Sequence, residues 1–240
     1  MIFSEIFNLI FKTTMNTAII YKTLFALLLL GSLCFGQYRF KMDGESKKYN
    51  AEITIEECET GACRNKADII VFNKKGEKIQ TFTSENLVIY FKDGLKSAKT
   101  DIIQLTSGMT QDSPVFFGDF NFDGTEDVAI RNGNGGNYGS GSYDVYVFNS
   151  TRKQFVPSAE LTDLASSYQG MFEVDAKRKR LITYARSGAA LHYTSEYQII
   201  PNKGIDLVYE KITEFTDEDK TKTTIKEKIN NKWVVKKSYK

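Results

Sequence analysis

Histidine occurs once in the 240-residue sequence, as His192, and tryptophan also occurs once. A single imidazole excludes zinc sites built on several histidines. A serine hydrolase would have to use His192, with Ser187 as nucleophile, yet no G-x-S-x-G elbow surrounds that serine. No two of the acidic residues are marked as a glycosidase pair, so the expectation is a protein that is not an enzyme. Prolines number three, and no long linker interrupts the chain, which argues for one domain. No segment repeats, which argues against a propeller.

An excess of one charge is also lacking. With Lys12, Lys22 and Glu5 set aside, the remainder carries 30 basic and 29 acidic residues. That balance gives no reason to expect nucleic acid or strong membrane attraction, and the C-terminal "KWVVKKSYK" reads as a solvated strand face. The only long apolar run is Leu24–Leu33, too short to cross a bilayer as a helix.

That run follows Lys22 and precedes small residues and a Gly36–Gln37 junction, the order of a secretory signal peptide over 1–36. Met1 or Met15 serves as its start. A single β-rich domain over 37–240, with no transmembrane helix, is then expected to be exported to the periplasm or secreted. Cys34 offers a lipid-anchor site, but the preceding Leu33 is bulkier than a lipobox takes. Two cysteines remain after cleavage, Cys58 and Cys63 in "ECETGACRN". In an oxidising compartment this close pair reads as a disulfide, with Gly61 and Ala62 allowing the tight loop. A metal or redox pair is the rival, weakened by the absence of a helix start or a nearby histidine.

Most of the chain alternates in the manner of β-strands. "NAEITIEE" (50–57), "KADIIVFNK" (66–74), "KIQTFTS" (78–84) and "ENLVIYFK" (85–92) are rich in β-branched and aromatic residues. The pattern continues to a hairpin over Asn230–Asn231. Helical spacing appears only in 158–168, with Leu161, Leu164, Ala165 and Tyr168 on one face and Ser158 as its cap. The expected fold is all-β: an antiparallel β-sandwich or flattened barrel with one short helix.

Within this pattern, "GDFNFDGTEDVAI" places Asp119, Asn121, Asp123 and Asp127 around Gly124. Calcium takes six to eight hard oxygens from carboxylates, amides and carbonyls. Asp119, Asn121 and Asp123 offer side chains, Thr125 its carbonyl, and Asp127 closes the loop 119–127. An EF-hand needs a glutamate where Ile130 stands, and apolar strands flank both sides. The sequence therefore predicts a strand–loop–strand Ca2+ site. Magnesium is less suited, since it prefers fewer protein ligands, and an acidic β-turn without an ion is the competing reading.

The glycine- and tyrosine-rich loop 132–143 follows. It lacks the lysine and helix of a phosphate-binding loop. It reads either as a mobile hairpin connection or as a recognition loop with Tyr138 and Tyr143 at its edge.

The order of "GDFNFDGTEDVAIRNGNGGNYGSGSYDVYVFNSTRKQFV", "LTDLASSYQGMFEVD" and "RLITYARSGAALHYTSEYQI" resembles exported bacterial calcium-binding proteins. These are similar to periplasmic inhibitors of invertebrate-type lysozyme and include an immunity protein against a lysozyme-like secreted effector. The resemblance covers about residues 110–210. It implies a lysozyme-like peptidoglycan hydrolase as protein partner, plugged by a Ser-Gly loop. The matching stretch is 186–193, where Gly188 lets the backbone approach and Ser187 reaches a catalytic carboxylate. Arg186, His192, Tyr193 and, from the preceding loop, Tyr138 add contacts. An ordinary hairpin turn with a buried His192 is the bland alternative. A calcium-dependent carbohydrate or surface-binding module, with Tyr138 and Tyr143 stacking on sugars, is the other functional class.

Overall fold

The computed structural model describes residues 37–91, 94–95, 99, 101–105, 113–201, 203–216 and 220–240. The expected leader 1–36, with Cys34, lies outside them. The described residues form an all-β sandwich of three sheets with one short helix, and no sheet closes into a barrel.

The first sheet has the order β4-β3-β2-β1-β5, from β1 (Tyr38–Met42), β2 (Tyr49–Ile55), β3 (Ala62–Asn73), β4 (Lys78–Tyr90) and β5 (Ile102–Leu105). The second has the order β6-β7-β8-β9, from β6 (Val115–Gly118), β7 (Asp127–Arg131), β8 (Tyr143–Asn149) and β9 (Gln154–Pro157). The third is a meander of β10 (Glu173–Asp175), β11 (Arg180–Ser187), β12 (Leu191–Ile200), β13 (Gly204–Phe215), β14 (Thr221–Ile229) and β15 (Lys232–Tyr239).

Period-2 alternation builds the cores. In β2, Tyr49, Ala51, Ile53 and Ile55 point inward while Glu52 faces water. They join Ile69 and Val71 of β3 and Val128 and Ile130 of β7 in one apolar cluster. Ala129, on the other face of β7, enters a second cluster with Tyr143, Val145, Leu161, Leu164 and Leu181. The five residues of β7 are therefore all buried, because the second sheet has a core on each face. This arrangement explains why "DVAIR" carries its two charges only at its ends.

Helix α1 (Ala159–Ser167) buries Leu161, Leu164 and Ala165, as its spacing predicts. Ser158 stands at its N-cap with extended backbone, but its side chain makes no capping bond. The Asn230–Asn231 hairpin is present. Both residues have positive φ, 52° and 59°, the twist a two-residue connection needs. Cys58 and Cys63 form the disulfide at the entrance to β3.

Two expectations need correction. The segments 78–84 and 85–92 are not separate strands. The described part, through Tyr90, is the single strand β4, which absorbs a register shift opposite Asn65 and Ala67. Nor is the sandwich wholly antiparallel, because β1 pairs with β5 in parallel. Among the described residues no helix is long and apolar enough to cross a membrane.

Candidate functional site

The acidic loop connects β6 to β7 and winds in on itself. Asp119 accepts the main-chain N–H of Asp123 (3.0 Å) and of Gly124 (2.9 Å). Asn121 Oδ1 accepts the same Asp123 N–H at 3.1 Å, and its amide donates to Asp123 Oδ2 at 3.0 Å. Asp123 Oδ1 accepts both the N–H and the hydroxyl of Thr125. The side chains at positions 119, 121 and 123 thus converge. Gly124, at φ +88°, makes the reversal that L side chains rarely adopt.

Asp127 opens β7 and is fully buried. Its two oxygens accept N–H groups from Phe120 and Phe148, each at 2.9 Å, fastening the loop to β8. Burial pushes its carboxyl up to about 7. The two N–H groups pull the other way, while Asp123 and Asp119 add repulsion. For Asp123, burial also works upward, but hydrogen bonds from Thr125 and Asn121 outweigh it and leave the carboxyl below its ordinary value. Among the described residues, no group of three or more His, Cys, Asp or Glu side chains gathers around one metal position. The chemistry of the set nevertheless fits a hard cation: all its donors are oxygens, and the ionised form of buried Asp127 is disfavoured until a positive charge arrives.

Glu126 performs a task that its sequence position gives no sign of. Its Oε2 accepts the hydroxyl of Ser46 at 2.7 Å and the N–H of Lys48 at 3.2 Å, tying the loop to the β1–β2 connection.

At its other end, β7 delivers Arg131, almost completely buried, into the base of the glycine-rich loop. Its guanidinium lies 5.2 Å from the Tyr90 ring centroid and donates to Asn134 Oδ1 at 2.6 Å. The loop is a hydrogen-bonded structure. Gly133 N donates to Asn86 O at 2.7 Å, Ser142 Oγ to Asn132 O at 2.7 Å, and Asn137 N to Tyr168 O at 2.9 Å. At Gly136 an added Cβ would meet the Tyr168 carbonyl at 2.6 Å, so a larger residue would displace the loop from the end of α1.

Beyond Gly136 the chain forms a single 3-10 turn, Asn137–Gly139, in which Tyr138 has φ +58° and is 57% exposed. This turn meets the β11–β12 hairpin. Asn137 Oδ1 accepts the N–H of Arg186 at 3.1 Å, and the Tyr138 hydroxyl accepts the N–H of Gly188. The Arg186 guanidinium lies 4.4 Å from the centre of the Tyr138 ring. Residues 186–190 are all exposed, and open space surrounds the position a Cβ would take at Gly188. His192 is exposed rather than buried. It pairs in register with Arg186, lies within 3.2 Å of the Ala189 carbonyl and meets Phe215 edge to face at 5.2 Å.

The structure therefore brings Tyr138, Arg186, Ser187, Gly188 and His192 to one exposed tip. It leaves Tyr193 out, since that residue pairs with Ala185 below the tip and is half-buried. Tyr143 is a correction. It is wholly buried, donates its hydroxyl to Ser113 O at 3.1 Å and packs on Phe116, so it is a core residue rather than a contact.

No family model and no curated protein matches the chain. A solved structure described as "Structure of a Xanthomonas Type IV Secretion System related protein" is similar, with a TM-score of 0.58 and 19% identity. The match covers 82% of this chain and 92% of that one. At that identity the likeness establishes a shared fold.

Proposed function

We propose that the protein is an exported, calcium-binding, non-enzymatic inhibitor of a lysozyme-like peptidoglycan hydrolase. In this reading the Ser187–Gly188 tip enters the cleft of the hydrolase. One observation carries it: the exposed hairpin tip 186–190 is held from both sides of Ser187 by Asn137 and Tyr138. A loop that enters a cleft loses less freedom on binding when it is already held in shape. Glycoside hydrolases work with a pair of carboxylates, and a hydroxyl, N–H groups and a guanidinium are the donors such a pair accepts.

Calcium belongs to this proposal as a structural ion. Asp119, Asn121 and Asp123 would hold it, with Thr125 and Asp127 completing the set. Its charge would offset the mutual repulsion of the carboxylates and stiffen the β6–β7 loop. Through β7 that loop is continuous with the glycine-rich loop that carries Tyr138.

Export is supported by the Cys58–Cys63 disulfide, which suits an oxidising compartment. The similar secretion-system-related structure is in keeping with a role among exported proteins. The carbohydrate-binding alternative loses support, since the stacking platform it requires would include the buried Tyr143.

The test is peptidoglycan hydrolysis by a panel of c-, g- and i-type lysozymes, each titrated with the purified exported protein in calcium. The reading predicts that one class is inhibited with a one-to-one end point. Undiminished hydrolysis across the panel at micromolar protein contradicts it.

A further inference from the structure

We propose that Arg186 is the residue that receives a carboxylate of the partner, and that Tyr138 is the positioning residue that aims it. This rests on the inhibitor reading above and assigns the chemistry within it.

Arg186 differs from Arg178, which is engaged by Asp175 at 2.6 Å and Glu196 at 2.7 Å. Among the described residues, no carboxylate lies within ion-pair distance of Arg186; its guanidinium rests on an aromatic face instead. A guanidinium seated over a ring, with no carboxylate beside it, keeps N–H groups for the two-pronged contact that a carboxylate makes. The backbone is fixed on both sides of Ser187: Asn137 holds Arg186 N, and Tyr138 holds Gly188 N. The same phenol therefore supports the guanidinium with its ring and the peptide two residues on with its hydroxyl. Ordering a long side chain at an interface ordinarily costs about 0.5–1.5 kcal/mol, and this support removes part of that cost before the partner arrives.

Ser187 is placed differently. It pairs with Leu191, one residue out of phase with Arg186 and His192, so its side chain projects from the other face of the hairpin. Arg186 and His192 thus share one face.

The experiment measures inhibition constants against whichever panel lysozyme the wild-type protein inhibits. The variants are Arg186→Gln, Arg186→Lys, Tyr138→Phe and Tyr138→Leu, each with its melting temperature. A second form of the lysozyme, with a catalytic carboxylate changed to the amide and therefore inactive, closes a double-mutant cycle in which binding of all pairs is read by calorimetry. Arg186→Gln is expected to weaken inhibition at least about 30-fold with an unchanged melting temperature. Arg186→Lys restores part of this, since the charge remains but the fork is lost. Tyr138→Leu weakens inhibition more than Tyr138→Phe, which keeps the ring. The acid-to-amide change should weaken wild-type binding and have little further effect on Arg186→Gln. Equal inhibition by Arg186→Gln and wild type, or an acid-to-amide effect of the same size in both, overturns the assignment and leaves the inhibitor reading standing. A wild-type protein that inhibits no lysozyme overturns both.

Discussion

The Tyr138 hydroxyl accepts the N–H of Gly188, fifty residues away in sequence, while its ring lies beneath the Arg186 guanidinium. This contact joins the glycine-rich loop to the β11–β12 hairpin and makes one surface from two segments that look independent in sequence. A net hydrogen bond is worth about 0.5–1.5 kcal/mol, so removing the acceptor should raise the hydrogen-exchange rate of the Gly188 amide by roughly 2- to 12-fold. Tyr138→Phe compared with wild type by NMR exchange checks this. An unchanged Gly188 rate would mean the contact does not hold in solution.

Calcium is expected to stabilise the fold. At a free concentration of one hundred times its dissociation constant, the gain is about 2.7 kcal/mol. The corresponding rise in melting temperature should disappear in chelator. It should be absent in Asp119→Ala at any calcium concentration. Calorimetry of both proteins with and without calcium is the check.

In chelator, stability should depend on pH through Asp127. Its folded carboxyl is raised to about 7 from an ordinary value of 3.8, so the folded state binds the extra proton between those values. Stability is then highest below about pH 4 as far as this group is concerned, and falls as pH rises through 7. Calcium should reduce the dependence, because it favours the ionised form. Asp127→Asn should flatten it as well. The amide has one acceptor oxygen for the two N–H groups of Phe120 and Phe148, so this variant should also lose about 1–3 kcal/mol. Urea denaturation at pH 5 and pH 8 in chelator measures both effects.

The Cys58–Cys63 disulfide closes a loop of sequence separation 5. By chain entropy so short a loop contributes about 2 kcal/mol. The double variant Cys58→Ser with Cys63→Ser should lose about that much stability. Its inhibition should be retained, since neither cysteine touches the tip at 137–138 and 186–192. Parallel denaturation and inhibition assays separate the two.

Much of the fold is legible in the sequence because alternation, turn chemistry and one amphipathic stretch are local signals. Ile53 and Ile55 declare their faces by spacing, Leu161, Leu164 and Ala165 declare a helix, and two adjacent asparagines declare the β14–β15 turn. The parallel pairing of β1 with β5 leaves no such trace, since it depends on which strand edge remains open. Tyr143 reads as a loop-edge aromatic until the second core is seen to require it.

In the site, the acidic spacing of Asp119, Asn121 and Asp123 is visible because the loop folds on its own carboxylates. The roles of Glu126 on Ser46 and of Asn137 on Arg186 are invisible, being contacts between segments 80 and 49 residues apart. Within the hairpin, register sets the faces: Arg186 shares its face with His192, whereas Ser187 and Tyr193 do not.

The most direct test of the account is the inhibition constant of Ser187→Trp against the lysozyme that the wild-type protein inhibits, with melting temperature as the control. Position 187 is exposed at the tip, so the indole should leave folding intact. If the tip enters the cleft, inhibition should weaken by at least about 30-fold at an unchanged melting temperature. Undiminished inhibition by a folded Ser187→Trp protein would contradict the account and place the binding face elsewhere on the molecule.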